Sequence, residues 1–377
     1  MKSKILAGIF VILSMATFAE EEKMTERLMI ELLELETKAL AASGHPLNAE
    51  TAHKQYPSEH FAEYQNNLFC EISEEHKTQY EKVAHIKFSD TVRPPASMKS
   101  VLLSSAMTFN LLGNGEIRAK DGNAFFVPGT YSIEYEKKLV TVSAPGGRQV
   151  PTYLDAFLLN GTDAIFCKMR MIEWLRNEPG FLHKMYFEKE RSFFNTEESS
   201  EVSAAFEKLR DSLLKIMRRW APKPYTECDP HHFWRYDAWQ MYEHILSIYN
   251  MSSKLTRSKI EEKEDIKFLP ELKTARLANV IFEPPEGAFS DEDVRKEYRG
   301  LLETEHKEFA AFKKCFEESG IIAAFKKDCG IDFSLELLTA AQFMDCFDLG
   351  DRADYLQRYR LDKCPHCGQS IVSMRHA

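Results

Sequence analysis

Residues Met24 to Ala42, MTERLMIELLELETKALAA, set Leu28, Leu32, Leu35 and Leu40 near helical spacing, with Glu26, Glu31, Glu34 and Glu36 between them. That pattern predicts an amphipathic helix, and Ser43-Gly44-His45-Pro46 predicts its end. A second helical stretch is expected over about Pro57 to Tyr80. A break follows at Arg93-Pro94-Pro95, then a buried helix over Val101 to Leu112, closed by Gly113-Asn114-Gly115. From about Ala124 to Ile172 the period changes. Phe126, Tyr131, Ile133, Tyr135, Leu139, Val140 and Val142 stand among the turn residues Pro128-Gly129 and Pro145-Gly146-Gly147, which predicts strands. Helix returns over Glu197 to Trp220 and Trp234 to Tyr249. Lys254 to Asp265 is a charged, exposed segment. Ala278 to Phe282 reads as one more strand, stopped by Pro284-Pro285, and the remainder to Tyr359 reads as mostly helical. There is no internal repeat. The expected fold class is α/β, a small mixed β-sheet flanked by many helices.

Tyr153 to Leu175, YLDAFLLNGTDAIFCKMRMIEWL, carries the sharpest local signal. Asn160-Gly161 is a two-residue hairpin turn signal, because both central positions of a type I′ turn need positive φ. A two-residue turn there pairs Asp155 with Phe166, and a four-residue turn pairs Asp155 with Lys168. Side chains alternate along a strand, so either register sets Asp155, Lys168 and Arg170 on one face. Leu154, Ala156, Leu158, Ile165, Cys167, Met169 and Met171 form the other face and read as core. The charged face also carries Tyr153, Phe157 and Phe166, so it reads as half-exposed.

An Asp on one strand and an acid-x-Lys on the next is a common nuclease arrangement. Carboxylates hold Mg²⁺, a hard cation, and the Lys orients or activates water. The chain resembles a bacterial family of restriction endonucleases within the PD-(D/E)XK nuclease superfamily. In order, the matching stretches are QYEK (Gln79 to Lys82), PPASMKSVLLSSAMTFNLLG (Pro94 to Gly113), SIEYEKKL (Ser132 to Leu139), PTYLDAFL (Pro151 to Leu158), IFCKMRMIEWL (Ile165 to Leu175), RYDAWQMYEHILSIYN (Arg235 to Asn250), LANVIFEPP (Leu277 to Pro285) and YLQRY (Tyr355 to Tyr359). The specificity lies in their order and spacing. The resemblance implies a restriction-endonuclease-like core hydrolysing DNA phosphodiesters with Mg²⁺. In it Asp155 is the metal ligand, Glu134 and Glu173 support it, Arg170 contacts phosphate or the transition state, and Gln240 is an active-site neighbour.

The departures bear on chemistry. Anchoring the second strand on Glu173 puts Lys168 where the family has its acid and Arg170 where it has its Lys. Val83-Ala84-His85-Ile86 replaces a Gly-rich turn followed by Glu-Leu. Exchanging an acid for Lys168 changes the local charge by two units. Two unit charges about 4 Å apart interact by roughly 4 kcal/mol at an effective dielectric near 20. A cation at a ligand position therefore repels Mg²⁺, and pairing of Asp155 with Lys168 is the competing expectation. Lys168 and Arg170 would then suit phosphate binding without cleavage.

Composition adds three constraints. The net charge of −9 over 377 residues argues against a chain-wide basic coat for nucleic acid and leaves only a local groove. The first residues, MKSKILAGIFVILSMATFA, have the layout of a secretory signal peptide and fall short of a bilayer span; the competing reading is a cytoplasmic protein starting at Met24. Of eight cysteines, only Cys364 and Cys367 in CPHCG have metal-ligand spacing. Cys228 and His231 would complete a zinc site, while a disulfide or two idle thiols are the alternatives. In Tyr236, Gln240 and His244, four residues apart on one helix face, the bland reading is a polar face beside an aromatic core. There is no Walker A run, GxGxxG, GxSxG or HExxH. The expected organisation is a leader at 1–19, a helical segment at 24–93, a nuclease-like core at 94–285 and a helical region with the cysteine tail at 286–377. Three functions stay open: an Mg²⁺-dependent endonuclease, a non-catalytic descendant binding nucleic acid or protein, and an exported interaction protein stapled by zinc or disulfides.

Overall fold

The computed structural model describes residues 26–55, 57–83, 88–90, 95–143, 148–171, 180–181, 193, 200–218, 232–233, 237–260 and 266–360. Helix α1 spans residues 26–42, and its four spaced leucines are fully buried, as the pattern predicts. The stretch expected to be helical from Pro57 to Tyr80 is instead a 3-10 turn at Tyr64–Asn67 followed by α2 (Glu74–Val83). The buried Asn67 amide bonds the carbonyls of Met98 and Ser100 at 3.1 and 2.6 Å, which holds the chain in the turn. Ser73 accepts from the His76 amide at the start of α2. Helix α3 (Ser104–Leu112) is buried along its whole length and ends at Gly113, whose φ of 79° suits a glycine stop.

Strands β1 (Glu116–Ala119), β2 (Gly129–Ser143), β3 (Gln149–Asn160) and β4 (Asp163–Arg170) follow. A separate small ladder joins β5 (Gly180–Phe181) to β6 (His232–Phe233). The chain continues through α4 (Ser200–Arg218), α5 (Asp237–Ser252), the short α6 (Lys254–Arg257) and β7 (Thr274–Ile281). Helices α7 (Glu292–Ser319) and α8 (Ile321–Ala324) lead to β8 (Asp332–Thr339), α9 (Ala340–Asp345) and a 3-10 turn at Tyr355–Tyr359. The main sheet runs β1-β2-β3-β4-β7-β8, antiparallel as far as β4 and parallel from β4 to β8. The fold is therefore α/β, as expected. Strands β1 and β8 were not. In β8, Phe333 and Leu335 enter one core and Leu338 the other. A strand covered on both faces lacks a clean alternation.

Both sheet faces are covered. Cys167, Met169, Ala278 and Val280 pack with α1 and α3 on one side. Phe157, Phe166 and Leu277 pack with α4 and α5 on the other. The charged hairpin face, expected to be half-exposed, thus lies beneath helices. Its turn also sits one residue later than the Asn-Gly signal placed it. Asn160 pairs with Asp163, and Gly161 takes the positive φ of 59°. This choice of register carries Asp155 opposite Lys168. Among the described residues no helix is long and apolar enough to cross a membrane.

One fully buried ion pair ties the two ends of this body together. Arg358 donates from Nε to Glu36 Oε2 at 2.9 Å, from Nη1 to Tyr355 Oη at 2.9 Å and from Nη2 to the Val101 carbonyl at 3.1 Å. Burial pushes the Glu36 carboxyl up despite this partner. Removing one member of such a pair strands the other charge. We expect Arg358→Met to cost about 3–5 kcal/mol, read from the urea midpoint, and the Glu36→Gln/Arg358→Met double variant to recover part of it. A single variant with an unchanged midpoint contradicts this role.

Candidate active site

The β3–β4 ladder ends at Ala156 opposite Cys167, yet β3 continues to Gln149 and β4 to Arg170. From Cys167 onward β4 keeps its partner β7 as far as Arg170 opposite Ile281. The two hairpin strands therefore part and form a fork. Backbone groups that lose a ladder partner must find another. Asp155 supplies one, its Oδ2 accepting from the Met169 amide at 2.6 Å. Its Oδ1 accepts from Lys168 Nζ at 3.3 Å, with the closest nitrogen–oxygen approach at 3.2 Å. Of the two sequence expectations for Asp155, pairing with Lys168 is the one found.

The carboxylate that faces this pair is Glu136, which sequence reasoning missed. Tyr135 pairs with Ala156 and Lys137 with Leu154, so Glu136 lies opposite Asp155. It is buried and has a φ of 50°, the sole positive φ among the described non-glycine residues. Such a conformation costs about 1–3 kcal/mol and must be held by its surroundings. Ser105 of α3 hydrogen-bonds the carboxyl. Burial first, and the Asp155 charge second, push it up to about 8 against the pull of Lys168. At neutral pH it is a neutral acid beside an ion pair. Glu134, the expected supporter, is half-exposed and turns to Lys137, which donates to its two oxygens at 3.0 and 2.9 Å. The resemblance pointed to Glu134; the register sets that residue opposite Phe157 and Glu136 opposite Asp155.

Helix α5 covers the other side of the fork. Arg170 is 1% exposed and donates from Nη2 to Gln240 Oε1 at 2.7 Å. Gln240 is thus brought to the site, as expected, and it holds the buried Arg170 guanidinium within the fork. His244 lies one turn further on and is fully buried. Its Nδ1 is 3.3 Å from Thr152 Oγ1 on the β3 arm. Burial, then Lys168 and Arg170 of the β4 arm, hold the imidazole well below its ordinary value, so it is neutral. Its Nε2 has no hydrogen-bond partner among the described residues. Asn279 pairs with Lys168 in the parallel β4–β7 register and so shares its face. It is fully buried, and both of its amide atoms lack a partner among the described residues. Leaving such groups unsatisfied costs about 1–3 kcal/mol each.

These residues do not fit Mg²⁺. The Asp155 oxygens are engaged by an ammonium and an amide, Glu136 is protonated, and Lys168 adds repulsion of roughly 4 kcal/mol per unit of ion charge at about 4 Å. Among the described residues no group of three or more His, Cys, Asp or Glu side chains is placed to hold a metal ion. Glu173, Tyr236 and the zinc candidates Cys228, His231, Cys364 and Cys367 lie outside the described residues. The chain matches no protein-family model, no curated protein and no solved structure.

The Glu136 geometry predicts a pH signature. Its folded value lies above the ordinary 4.5, so its contribution to stability is fully present below about 4.5 and is lost as the pH rises through about 8. Glu136→Gln removes that loss. Its unfolding free energy should match wild type near pH 5 and exceed it above pH 8 by more than about 1 kcal/mol. A difference that is equal at both pH values contradicts the assignment.

Proposed function

We propose that this chain is a non-catalytic, nucleic-acid-binding descendant of a nuclease-type fold. The observation that carries the reading is the Asp155–Lys168 pair. In the resembling nucleases an acid at the Lys168 position joins Asp155 in holding Mg²⁺. Here the side chain at that position is itself the cation. Lys168 meets the need for positive charge beside Asp155, and it does so without a Lewis acid or a metal-bound water. The same exchange leaves Lys168 and Arg170 in one fork, a donor set suited to phosphate. The chain's net charge of −9 confines such a contact to a local site.

The test is incubation of the folded chain, starting at Glu20 or Met24, with supercoiled and linear DNA in Mg²⁺ and in Mn²⁺. Asp155→Ala runs alongside as the control. We expect no cleavage in either ion, with retention of DNA by wild type in a gel shift that weakens as salt rises. Cleavage that disappears in Asp155→Ala would restore the endonuclease reading.

A further inference from the structure

His244 and Asn279 present three buried polar atoms without partners among the described residues, beside two cationic side chains. Buried polar groups in folded proteins nearly always have a partner, so orphaned ones mark a missing water, ion or ligand. Their placement narrows the choice. His244 touches the β3 arm of the fork through Thr152 and lies within electrostatic reach of Lys168 and Arg170 on the β4 arm. Asn279 approaches from β7, on the same face as Lys168. With the Thr152 hydroxyl assigned as donor to Nδ1, the neutral imidazole keeps its proton on Nε2. Nε2–H and the Asn279 Nδ2 then join the Lys and Arg groups as donors from three separate elements. The matching ligand is rich in acceptors and negatively charged. The Asn279 carbonyl oxygen also needs a donor, which a protonated oxygen of the ligand provides.

We propose that the fork between β3 and β4, beneath α5, is a binding site for an oxyanion of the phosphate class. This rests on the binding reading above and deepens it by naming the group recognised. The anion comes either from solution, as free phosphate, or from the end of a nucleic-acid strand.

The experiment measures the melting midpoint and the calorimetric binding isotherm of the full chain with inorganic phosphate, against chloride at matched ionic strength. A ligand that binds only the folded state raises the midpoint with concentration. We expect a saturable rise in phosphate alone. We expect the His244→Phe/Asn279→Leu variant to keep or raise its midpoint in chloride and to bind phosphate roughly tenfold or more weakly. Should that variant fail to fold, Asn279→Asp sets a negative charge beside Lys168 and must likewise weaken phosphate binding. A wild-type midpoint no higher in phosphate than in chloride, or a phosphate response untouched by these substitutions, overturns the site. Tighter binding of a 5′-phosphorylated oligonucleotide than of its unphosphorylated twin assigns the strand end as the source. Equal binding of the two assigns free phosphate. Wild type that cuts DNA removes the non-catalytic reading alone. Wild type that neither cuts DNA nor responds to phosphate removes the anion site alone.

Discussion

Everything at this site depends on how Asp155 is satisfied. Its two oxygens accept from the Lys168 ammonium and the Met169 amide. Each oxygen of a carboxylate so held is turned to its own chain. The ion pair anchors the β4 arm just where the ladder to β3 has ended, and the amide bond replaces the ladder contact that β4 lost. The residue that chemistry would assign to a metal is therefore the residue that closes the fork. Removing it would take one carboxylate from Lys168 and the acceptor of the Met169 N–H together, so structural and functional roles are joined in one side chain.

The sheet explains why charge collects there. Antiparallel pairing runs from β1 to β4, and parallel pairing takes over from β4 to β8. β4 belongs to both halves, and beyond Cys167 it follows β7 and leaves β3. The opening lies between α3 on one face and α5 on the other, so polar groups from both reach it. Ser105 meets Glu136 from one side, and Gln240 and His244 meet the β4 arm from the other. Buried polar groups where the ladder ends need partners. Glu136 meets the demand by staying protonated, whereas His244 and Asn279 leave theirs unmet among the described residues.

Much of this was legible in the chain itself. The leucine spacing of α1, the largely apolar run leading into α3 and the alternation through β2 to β4 each reflect burial, which sequence reports directly. The partner of Asp155 was legible too, because an acid and a Lys sharing a hairpin face attract each other. Strand β8 was not legible, since both of its faces are covered and its apolar residues follow neither simple period. Nor was Glu136. Its importance comes from the β2–β3 register, which sets Glu136, and not Glu134, opposite Asp155, and from its left-handed backbone. The sequence offered one usable signal, two acids two apart in SIEYEKKL, but choosing between them takes a register. Asn279 was hidden for another reason: a lone Asn inside LANVIFEPP gives no hint that β7 would pair it with Lys168.

The central claim is that an internal ammonium stands where a divalent ion would bind. Electron paramagnetic resonance of Mn²⁺ tests it most directly, because free and bound ion are counted without any assay of activity. The account predicts that wild type leaves the free Mn²⁺ signal undiminished at millimolar ion, whereas folded Lys168→Ala diminishes it through Asp155. Saturable Mn²⁺ binding by wild type that vanishes in Asp155→Asn would contradict the account.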